Sequence, residues 1–228
     1  MANEPLSGDW ARRTGNAPIH QRRRRRQALP VVVLVAAVVA ADAVIRCLQR
    51  TSRLTRETHE LAVLSRTDPL TGLPNRRHVE EHLAASLSAA RRHHQPLAVL
   101  FIDIDDFKHV NDRFGYEVGD GVLRAVGERL HVTLRAEDLV GRWGGEEFLA
   151  VLPAADVAGA LTGAERVRAA IAGRAVAAGD HDLTVTVSVG CAAGAGEPAE
   201  LIRQASRALR QAKLGGKNRV VPAPPSPD

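Results

Sequence analysis

The sequence predicts an α/β (α+β) fold, a central mixed sheet flanked by helices, with a separate N-terminal segment before it. With 45% hydrophobic and 25% charged residues among 228, the chain sustains a packed core, and wholesale disorder is excluded. From residue 67 onward, helical and strand periodicities alternate, as is typical of helices packed on a sheet. The two cysteines are too few for a disulfide scaffold or a zinc site, and they fit a reducing compartment.

The excess of positive charge lies at the N-terminal end. Residues 1–56 hold eleven arginines and three acidic residues, whereas the rest of the chain has a net charge of −3. Binding to nucleic acid draws on basic side chains that neutralise phosphates. The charge pattern therefore argues against nucleic acid as a partner of the main domain.

Three segments precede that domain. Residues 1–27 form a basic tail that we expect to be disordered. Residues 28–45 carry one charge, Asp42, over the minimum length of a membrane-spanning helix. We expect a single-pass anchor there; a core helix, a secretory signal and an interfacial helix are the alternatives. Residues 46–66 lack Gly and Pro and predict a linker helix, which is either dimerising or simply solvated.

The first half of the domain is predicted to form a helix, a strand, a helix and a hairpin. Asn75 is a candidate N-cap of a helix that extends to about residue 94. The apolar run 97–104, broken only by Asp103, predicts a buried central strand. A helix follows over residues 119–135. Strands at 139–142 and 147–152 then flank a Gly-Gly hairpin.

The second half adds a helix, a strand and a helix. Apolar residues at 160, 164, 167 and 171 share one helical face, and the alternation of apolar residues over 183–189 predicts a half-exposed strand. Residues 222–228 are predicted to be disordered. The residues of the last helix that are predicted to face the core are Leu201, Ile202, Ala205, Ala208, Leu209 and Ala212.

Two acidic groups are candidates for chemistry. Asp103 ends a buried strand, where a carboxylate is costly unless a cation or hydrogen bonds compensate it. Asp105 and Asp106, which follow, are equally compatible with a solvated loop. In the hairpin, Glu146 and Glu147 point to opposite faces if extended, so one can bind a metal while the other acts on a substrate. Together with Asp103 they predict an oxygen-only site for Mg²⁺ or Mn²⁺, shared with substrate phosphates. A plain hairpin with solvated glutamates is the alternative.

Five motifs, in order, resemble those of the GGDEF family of diguanylate cyclases in its Gly-Gly-Glu-Glu-Phe form. The resemblance covers about two thirds of the chain, from Asp68 to about Val220. The motifs are Asp68-x-Leu-Thr-Gly-Leu-x-Asn-Arg-Arg77, Phe101-Ile-Asp-Ile-Asp-x-Phe-Lys-x-x-Asn-Asp112, Gly115-x-x-x-Gly-Asp120, Arg142-Trp-Gly-Gly-Glu-Glu-Phe148, and Ala208-Leu-x-x-Ala-Lys213 with Gly216-Lys-Asn218.

The resemblance implies a fold similar to the palm of nucleotidyl cyclases and polymerases. It also implies that Asp103, the Ile104 carbonyl and Glu146 hold Mg²⁺, with Glu147 beside them. Glu146 or Glu147 would assist deprotonation. The implied GTP-binding residues are Asn111 and Asp120 for guanine, Asp106, Phe107, Lys108, Lys213 and Lys217 for the triphosphate, and Gly145 at the hairpin tip.

The same resemblance implies a homodimer in which each subunit binds one GTP and the products are cyclic di-GMP and pyrophosphate. It further implies a product-inhibition site at Arg135, Asp138 and Arg166. An Arg-x-x-Asp tetrapeptide taken alone is more typical of a surface ion pair. A non-catalytic cyclic di-GMP receptor and a membrane scaffold that only dimerises are the competing functions.

Several positions depart from the family pattern. Tyr116 replaces a usual His, Ser206 a common Asp, Arg210 a common Tyr and Lys217 a common Arg, while Glu146 for Asp is an accepted variant. Lys217 keeps its charge but lacks the bidentate fork of arginine. None of these changes removes an implied metal ligand, so we expect activity.

The expected location is the inner (cell) membrane, with the domain in the cytoplasm where GTP is found. The arginine count on each side of residues 28–45 favours the opposite orientation. Both flanks are basic, which makes this bias weak, and the conflict stays open.

Overall fold

The computed structural model describes residues 66–224 and three isolated positions before them, residues 44, 46 and 49. The elements are α1 (Arg76–His93), β1 (Leu97–Ile104), α2 (Phe107–Phe114), α3 (Tyr116–Thr133), β2 (Leu139–Gly144), β3 (Glu147–Pro153), α4 (Val157–Ala172), β4 (Val176–Ala178), β5 (His181–Leu183), β6 (Val187–Ala193), α5 (Pro198–Leu214) and β7 (Val220–Pro222). The predicted tail, anchor and linker lie outside the described residues, apart from the three isolated positions and Arg66. Within the described part of the chain, no helix combines the length and apolarity needed to cross a bilayer.

Five strands form a mixed sheet in the order β2-β3-β1-β6-β7. Strand β1 is antiparallel to β3 and to β6, and β7 runs parallel to β6. All eight residues of β1 are buried, as the apolar run predicted. The predicted mixed sheet with flanking helices is confirmed.

Helices cover both faces of the sheet, and each face has its own core. Val122, Val126 and Leu130 of α3 pack on one face together with apolar residues of α4. Leu83 of α1 and Leu209 of α5 pack with others on the opposite face. Fully burying each such side chain stabilises the fold by about 1.5–3 kcal/mol.

Helix α5 lies unusually close to the sheet at Gly190 of β6. A Cβ atom at this position would lie 2.1 Å from the Ala205 carbonyl oxygen and 2.2 Å from the Leu209 amide nitrogen. Only glycine fits under a helix backbone at this distance. This contact fixes the position of α5, which carries Lys213 near its C-terminal end.

Helix α1 begins where the sequence predicts. The Asn75 side chain accepts a hydrogen bond from the His78 amide at 3.0 Å and caps the helix. The αL residue His94 ends it.

Four predictions at the level of elements need correction. The segment 183–189 is divided between β5, which pairs with β4 in a separate hairpin, and β6, which is buried along nearly its whole length. It is buried because β6 lies between β1 and β7 with helices on both sides. Strand β7 includes Pro222, so disorder does not begin there, whereas residues 225–228 lie outside the described residues.

The other two corrections concern α2 and α3. Residues 107–114 form the short helix α2 where a loop was expected. Helix α3 begins at Tyr116 instead of residue 119. Gly115, with a φ of 86°, separates the two helices. Eight residues are too few to display a clear helical period in the sequence.

Candidate active site

The buried end of β1 brings acidic side chains together on one face of the sheet. Asp103 is the register partner of Glu147 on β3, and directly opposed residues of an antiparallel pair have Cβ atoms about 5 Å apart. Glu146 lies in the hairpin turn beside them, and its carbonyl accepts a hydrogen bond from the Ile104 amide at 3.4 Å. Strand pairing thus gathers the four residues expected at the metal.

A lysine from α5 approaches this group. Lys213 Nζ lies 2.6 Å from Asp103 Oδ1. Lys213 is the one side chain within residues 66–224 that forms an ion pair with Asp103, and no further donor reaches the buried Oδ1 atom. Asp103 is only 6% exposed. Its negative charge is therefore compensated incompletely by the protein.

The electrostatics agree with this geometry. Burial raises the pKa of Asp103 to about 6, the Lys213 ammonium opposes the shift, and the Glu146 and Glu147 carboxylates add to it. Burial, followed by the charge of Glu146, also raises the pKa of Glu147. Carboxylates that destabilise one another in this way favour a bound cation.

The residues present fit Mg²⁺, which typically takes one or two carboxylates and completes its shell with waters and substrate phosphates. Asp103 supplies a buried oxygen whose one close cationic partner within residues 66–224 is Lys213, and two glutamates stand beside it. Across residues 66–224, no three acidic, imidazole or thiol side chains are gathered tightly enough to enclose a cation by themselves. This arrangement suits a shared site better than an all-protein cage.

The turn after β1 contains the residues expected at a triphosphate. Asp106 is the N-cap of α2 with a φ of 56°, and its side chain makes no capping hydrogen bond. It pairs instead with Lys217 Nζ at 2.5 Å. The positive end of α2, beginning at Phe107, is left without its usual side-chain acceptor and so suits an anion. Lys108 is exposed on the first turn of α2, whereas the lysine that reaches Asp103 within residues 66–224 is Lys213.

The two residues expected to read guanine come from neighbouring helices. Asn111 of α2 lies directly against Gly119 of α3, where a Cβ atom would be 1.9 Å from Asn111 Oδ1. Asp120 follows Gly119 and is half-buried. The absence of a side chain at Gly119 leaves the space that the Asn111 amide occupies.

A clamp on the hairpin was not foreseen from the sequence. Arg142 Nε and Nη2 donate to the Gly145 carbonyl at 3.0 and 2.8 Å, and Nη1 donates to Asp68 at 3.2 Å. Burial favours a higher pKa for Asp68, but hydrogen bonds from Thr71 and the charge of Arg142 hold that pKa below its ordinary value. The hairpin tip, where Gly145 has a φ of 52°, is thereby tied to the start of the domain. Both residues lie in recognised motifs, but no spacing links positions so far apart.

The residues expected at the product-inhibition site line a separate pocket. Asp138 accepts a hydrogen bond from the Arg135 amide at 2.9 Å, and Arg166 of α4 lines the same pocket. Burial raises the pKa of Asp138. The Arg135 side chain is 60% exposed and approaches Glu137 only at 4.0 Å, so its guanidinium stays accessible.

The comparisons with known proteins identify the family of the domain. The family model for the GGDEF domain of diguanylate cyclases matches residues 65–219. The chain belongs to the GGDEF family.

Relatives of this GGDEF chain include regulators and cyclases. It is 45% identical over 167 residues to the response regulator PleD of Caulobacter vibrioides, a match that covers 71% of this chain and 36% of PleD. It is 39% identical over 156 residues to the diguanylate cyclase DgcP of Pseudomonas aeruginosa, covering 68% of this chain and 23% of DgcP. The chain thus spans about a third or less of the length of these relatives.

Solved GGDEF structures are similar to the described domain. The GGDEF domain of YfiN (TpbB) from Pseudomonas aeruginosa matches with a TM-score of 0.67 and 37% identity, covering 69% of this chain and 94% of that one. The GGDEF domain of DgcB from Caulobacter crescentus, in complex with c-di-GMP, matches with a TM-score of 0.66 and 30% identity, covering 70% of this chain and 96% of that one.

The raised pKa of Asp103 predicts a gain in stability when its charge is removed. Because the folded-state pKa of about 6 exceeds the ordinary 3.8, protonated Asp103 favours folding at low pH, and this contribution is lost as the pH rises through 6. Asp103→Asn should therefore raise the melting temperature of metal-free protein at pH 7.5. The gain should be at most about 3 kcal/mol, at 1.36 kcal/mol per pKa unit.

Thermal unfolding of parent and variant in EDTA, from pH 4 to pH 7.5, measures this effect. The difference should shrink toward pH 4. An Asp103→Asn variant that melts no higher than the parent at pH 7.5 would show that Lys213 compensates the charge in full.

Proposed function

We propose that the chain condenses two GTP molecules into cyclic di-GMP and two pyrophosphates at the interface of two copies. The observation that carries the proposal is the incompletely compensated Asp103 carboxylate. It stands opposite Glu147 and beside Lys213, next to a helix start suited to phosphate. Burying this group of charges costs stability, and a domain that binds no ligand would gain nothing to offset that cost.

Binding would divide between two parts of the site. The half-buried Asn111 and Asp120 side chains offer donors and acceptors to the edge of guanine. The start of α2, with Lys108, Lys213 and Lys217, offers positive charge to the triphosphate. Gly145 at the hairpin tip lets the nucleotide approach the backbone.

A divalent cation would be held by Asp103, the Ile104 carbonyl, Glu146 and Glu147. Mg²⁺ or Mn²⁺ bound there would polarise the α-phosphate and neutralise charge on the leaving pyrophosphate. Lys213 would then turn from Asp103 to the phosphates, a change within reach of its flexible, one-third exposed side chain.

In each half-reaction the ribose 3′-oxygen of one GTP forms a bond to the α-phosphorus of the other, and the bond from that phosphorus to pyrophosphate breaks. We assign acceptance of the hydroxyl proton to Glu147, whose backbone position on β3 faces Asp103 at the end of β1. Lysine charges would stabilise the departing pyrophosphate.

The proposal requires a homodimer. Each chain offers one guanine-reading pair and one acidic group, whereas cyclic di-GMP contains two nucleotides. Two copies facing each other would bring each 3′-hydroxyl to its partner's α-phosphate, so that orientation supplies much of the acceleration. We further propose that residues 28–45 anchor the dimer in the inner membrane with the GGDEF domain in the cytoplasm.

A turnover assay tests the cyclase proposal. The full chain at high concentration, incubated with GTP and Mg²⁺, should yield cyclic di-GMP and pyrophosphate on chromatography. Glu147→Gln should lower the rate by at least about a hundredfold, as expected for loss of a general base. Cyclic di-GMP binding without turnover would assign the chain to the receptor class instead. The absence of both turnover and cyclic di-GMP binding would assign the chain to the scaffold class.

Gly119→Ala should disrupt guanine binding. Its Cβ would displace the Asn111 amide, and the KM for GTP should rise about tenfold or more. The matched control is Gly159→Ala on α4, where a Cβ would make only ordinary contacts at 3.4 Å and beyond; because Gly159 lines the pocket of Arg135 and Asp138, both variants are compared by initial rates before product accumulates. Both changes favour helix formation equally. An unchanged KM for GTP in Gly119→Ala would remove Asn111 from the guanine site.

The product-inhibition site is tested by Arg135→Ala. Its accessible guanidinium suits the phosphates and the guanine Hoogsteen edge of the product. The variant should keep the initial rate of the parent and raise the concentration of cyclic di-GMP that halves the rate by at least about tenfold, measured from progress curves with added product. Arg207→Ala, at an exposed position on α5, is the control. Equal inhibition of Arg135→Ala and the parent would refute the site.

A further inference from the structure

The turn that follows α5 has an unusual backbone. Gly216, Lys217 and Asn218 are three consecutive residues with positive φ, at 116°, 62° and 45°. Residues other than glycine disfavour positive φ because their side chains clash with the backbone. The resulting backbone strain persists only where surrounding contacts enforce it. We call residues 215–219 the lysine turn, since Lys217 lies at its centre.

Asp105 is the main anchor of the lysine turn. Its buried carboxylate accepts three hydrogen bonds: from the backbone amide of Asn218 at 2.9 Å, from Thr186 Oγ1 at 2.7 Å and from Ser188 Oγ at 2.6 Å. Unlike Asp103, this carboxylate is fully compensated. Asp105 therefore fastens the lysine turn to the end of β1, two residues from Asp103 and one from Asp106.

Arg168 of α4 holds the other side of Asn218. Its Nη1 donates to Asn218 Oδ1 at 2.7 Å, while Glu165 binds its Nε at 2.9 Å. The Arg168 side chain is only 21% exposed. A guanidinium fixed by two partners restrains the side chain of Asn218, whose backbone is already fixed by Asp105.

The consequence is the location of the Lys217 ammonium. With its backbone held on both sides, Lys217 extends across to the turn after β1 and pairs with Asp106. That turn is the start of α2, where the proposed function places the triphosphate. Asp106 thus keeps the ammonium at the phosphate position before nucleotide binds.

We propose that Asp105, Asn218 and Arg168 are positioning residues that hold Lys217 in its strained conformation for binding the GTP triphosphate. The inference rests on the proposed function in one respect, namely that the nucleotide binds at the start of α2. It predicts that these three residues act on nucleotide affinity through Lys217, and not merely on folding.

The test measures nucleotide binding without turnover. The probe is 3′-deoxy-GTP with Mg²⁺, titrated calorimetrically into the full chain, because it lacks the attacking hydroxyl. Asp105→Asn should raise its dissociation constant about tenfold, and Arg168→Gln about threefold. Asn218→Gly, which keeps the amide donor and suits positive φ, should resemble Arg168→Gln. Arg207→Gln is the charge-matched control and should bind as the parent does.

A double-mutant comparison separates positioning from general damage. In a Lys217→Met background, adding Arg168→Gln or Asn218→Gly should change the dissociation constant by less than twofold, because the positioned group is already absent. If either substitution weakens binding as much without Lys217 as with it, the proposal is overturned. Unchanged affinity in the single variants also overturns it. Should Asp105→Asn not fold, Arg168→Gln and Asn218→Gly decide.

Failure of the cyclase proposal is distinguishable from failure of this one. If the parent protein binds 3′-deoxy-GTP but makes no cyclic di-GMP from GTP, the cyclase proposal is refuted. The dissociation constants of the variants for 3′-deoxy-GTP then still test the positioning of Lys217. Binding of cyclic di-GMP should be unchanged in Arg168→Gln, which confirms that helix α4 and its Arg166 are intact. A parent that does not bind 3′-deoxy-GTP overturns both.

Discussion

The placement of two carboxylates at the buried end of the central strand is the constraint on which the site depends. Asp103 and Asp105 are two residues apart and both 6% exposed. A buried carboxylate must be compensated or it destabilises the fold. The chain treats the two oppositely. Asp105 receives hydrogen bonds from two hydroxyls and a backbone amide, whereas Asp103 has one ion pair, with the one-third exposed Lys213, and a pKa raised to about 6 by burial. The first is a structural anchor, and the second is the residue to which the proposed function assigns the cation.

Segments that are far apart in the sequence meet at the end of β1, around Asp103 and Asp105. The Gly-Gly hairpin contributes Glu146 and Glu147, α5 contributes Lys213, and the lysine turn closes over Asp105. The hairpin is held from outside by Arg142, which joins it to Asp68. Packing of α5 against Gly190 sets the distance of Lys213 from the strand. The site therefore tolerates little change in the sheet, since each charged group belongs to a different rigid element.

The sequence was most informative where a single periodicity decides the structure. Strand β1 and the N-cap at Asn75 agree with prediction because a continuous apolar run and a capping residue are local signals. The prediction of a single strand over 183–189 was wrong. Apolar residues alternate through the whole segment, although the chain passes within it from the β4–β5 hairpin to the five-stranded sheet. The sequence is equally compatible with a solvated loop at Asp105, whereas the structure buries this residue. Its alternation with Asp103 on the strand face was a usable signal, but its partners at 186, 188 and 218 are contacts across the sheet that no local pattern encodes.

The ion pair of Lys217 with Asp106 gives a physical reason for one departure from the family pattern. In the family pattern arginine is common at position 217, and its planar fork would bind a carboxylate or a phosphate bidentately. Lysine forms a single, rotatable contact with Asp106, and both side chains are substantially exposed. An exposed pair of this kind contributes about 0–1 kcal/mol. In the proposed site, an incoming triphosphate would therefore separate the ammonium from Asp106 at little cost, and the strained turn would keep it near the phosphate. If Lys217 binds the triphosphate as proposed, preorganisation of its backbone takes over part of what the arginine fork would provide.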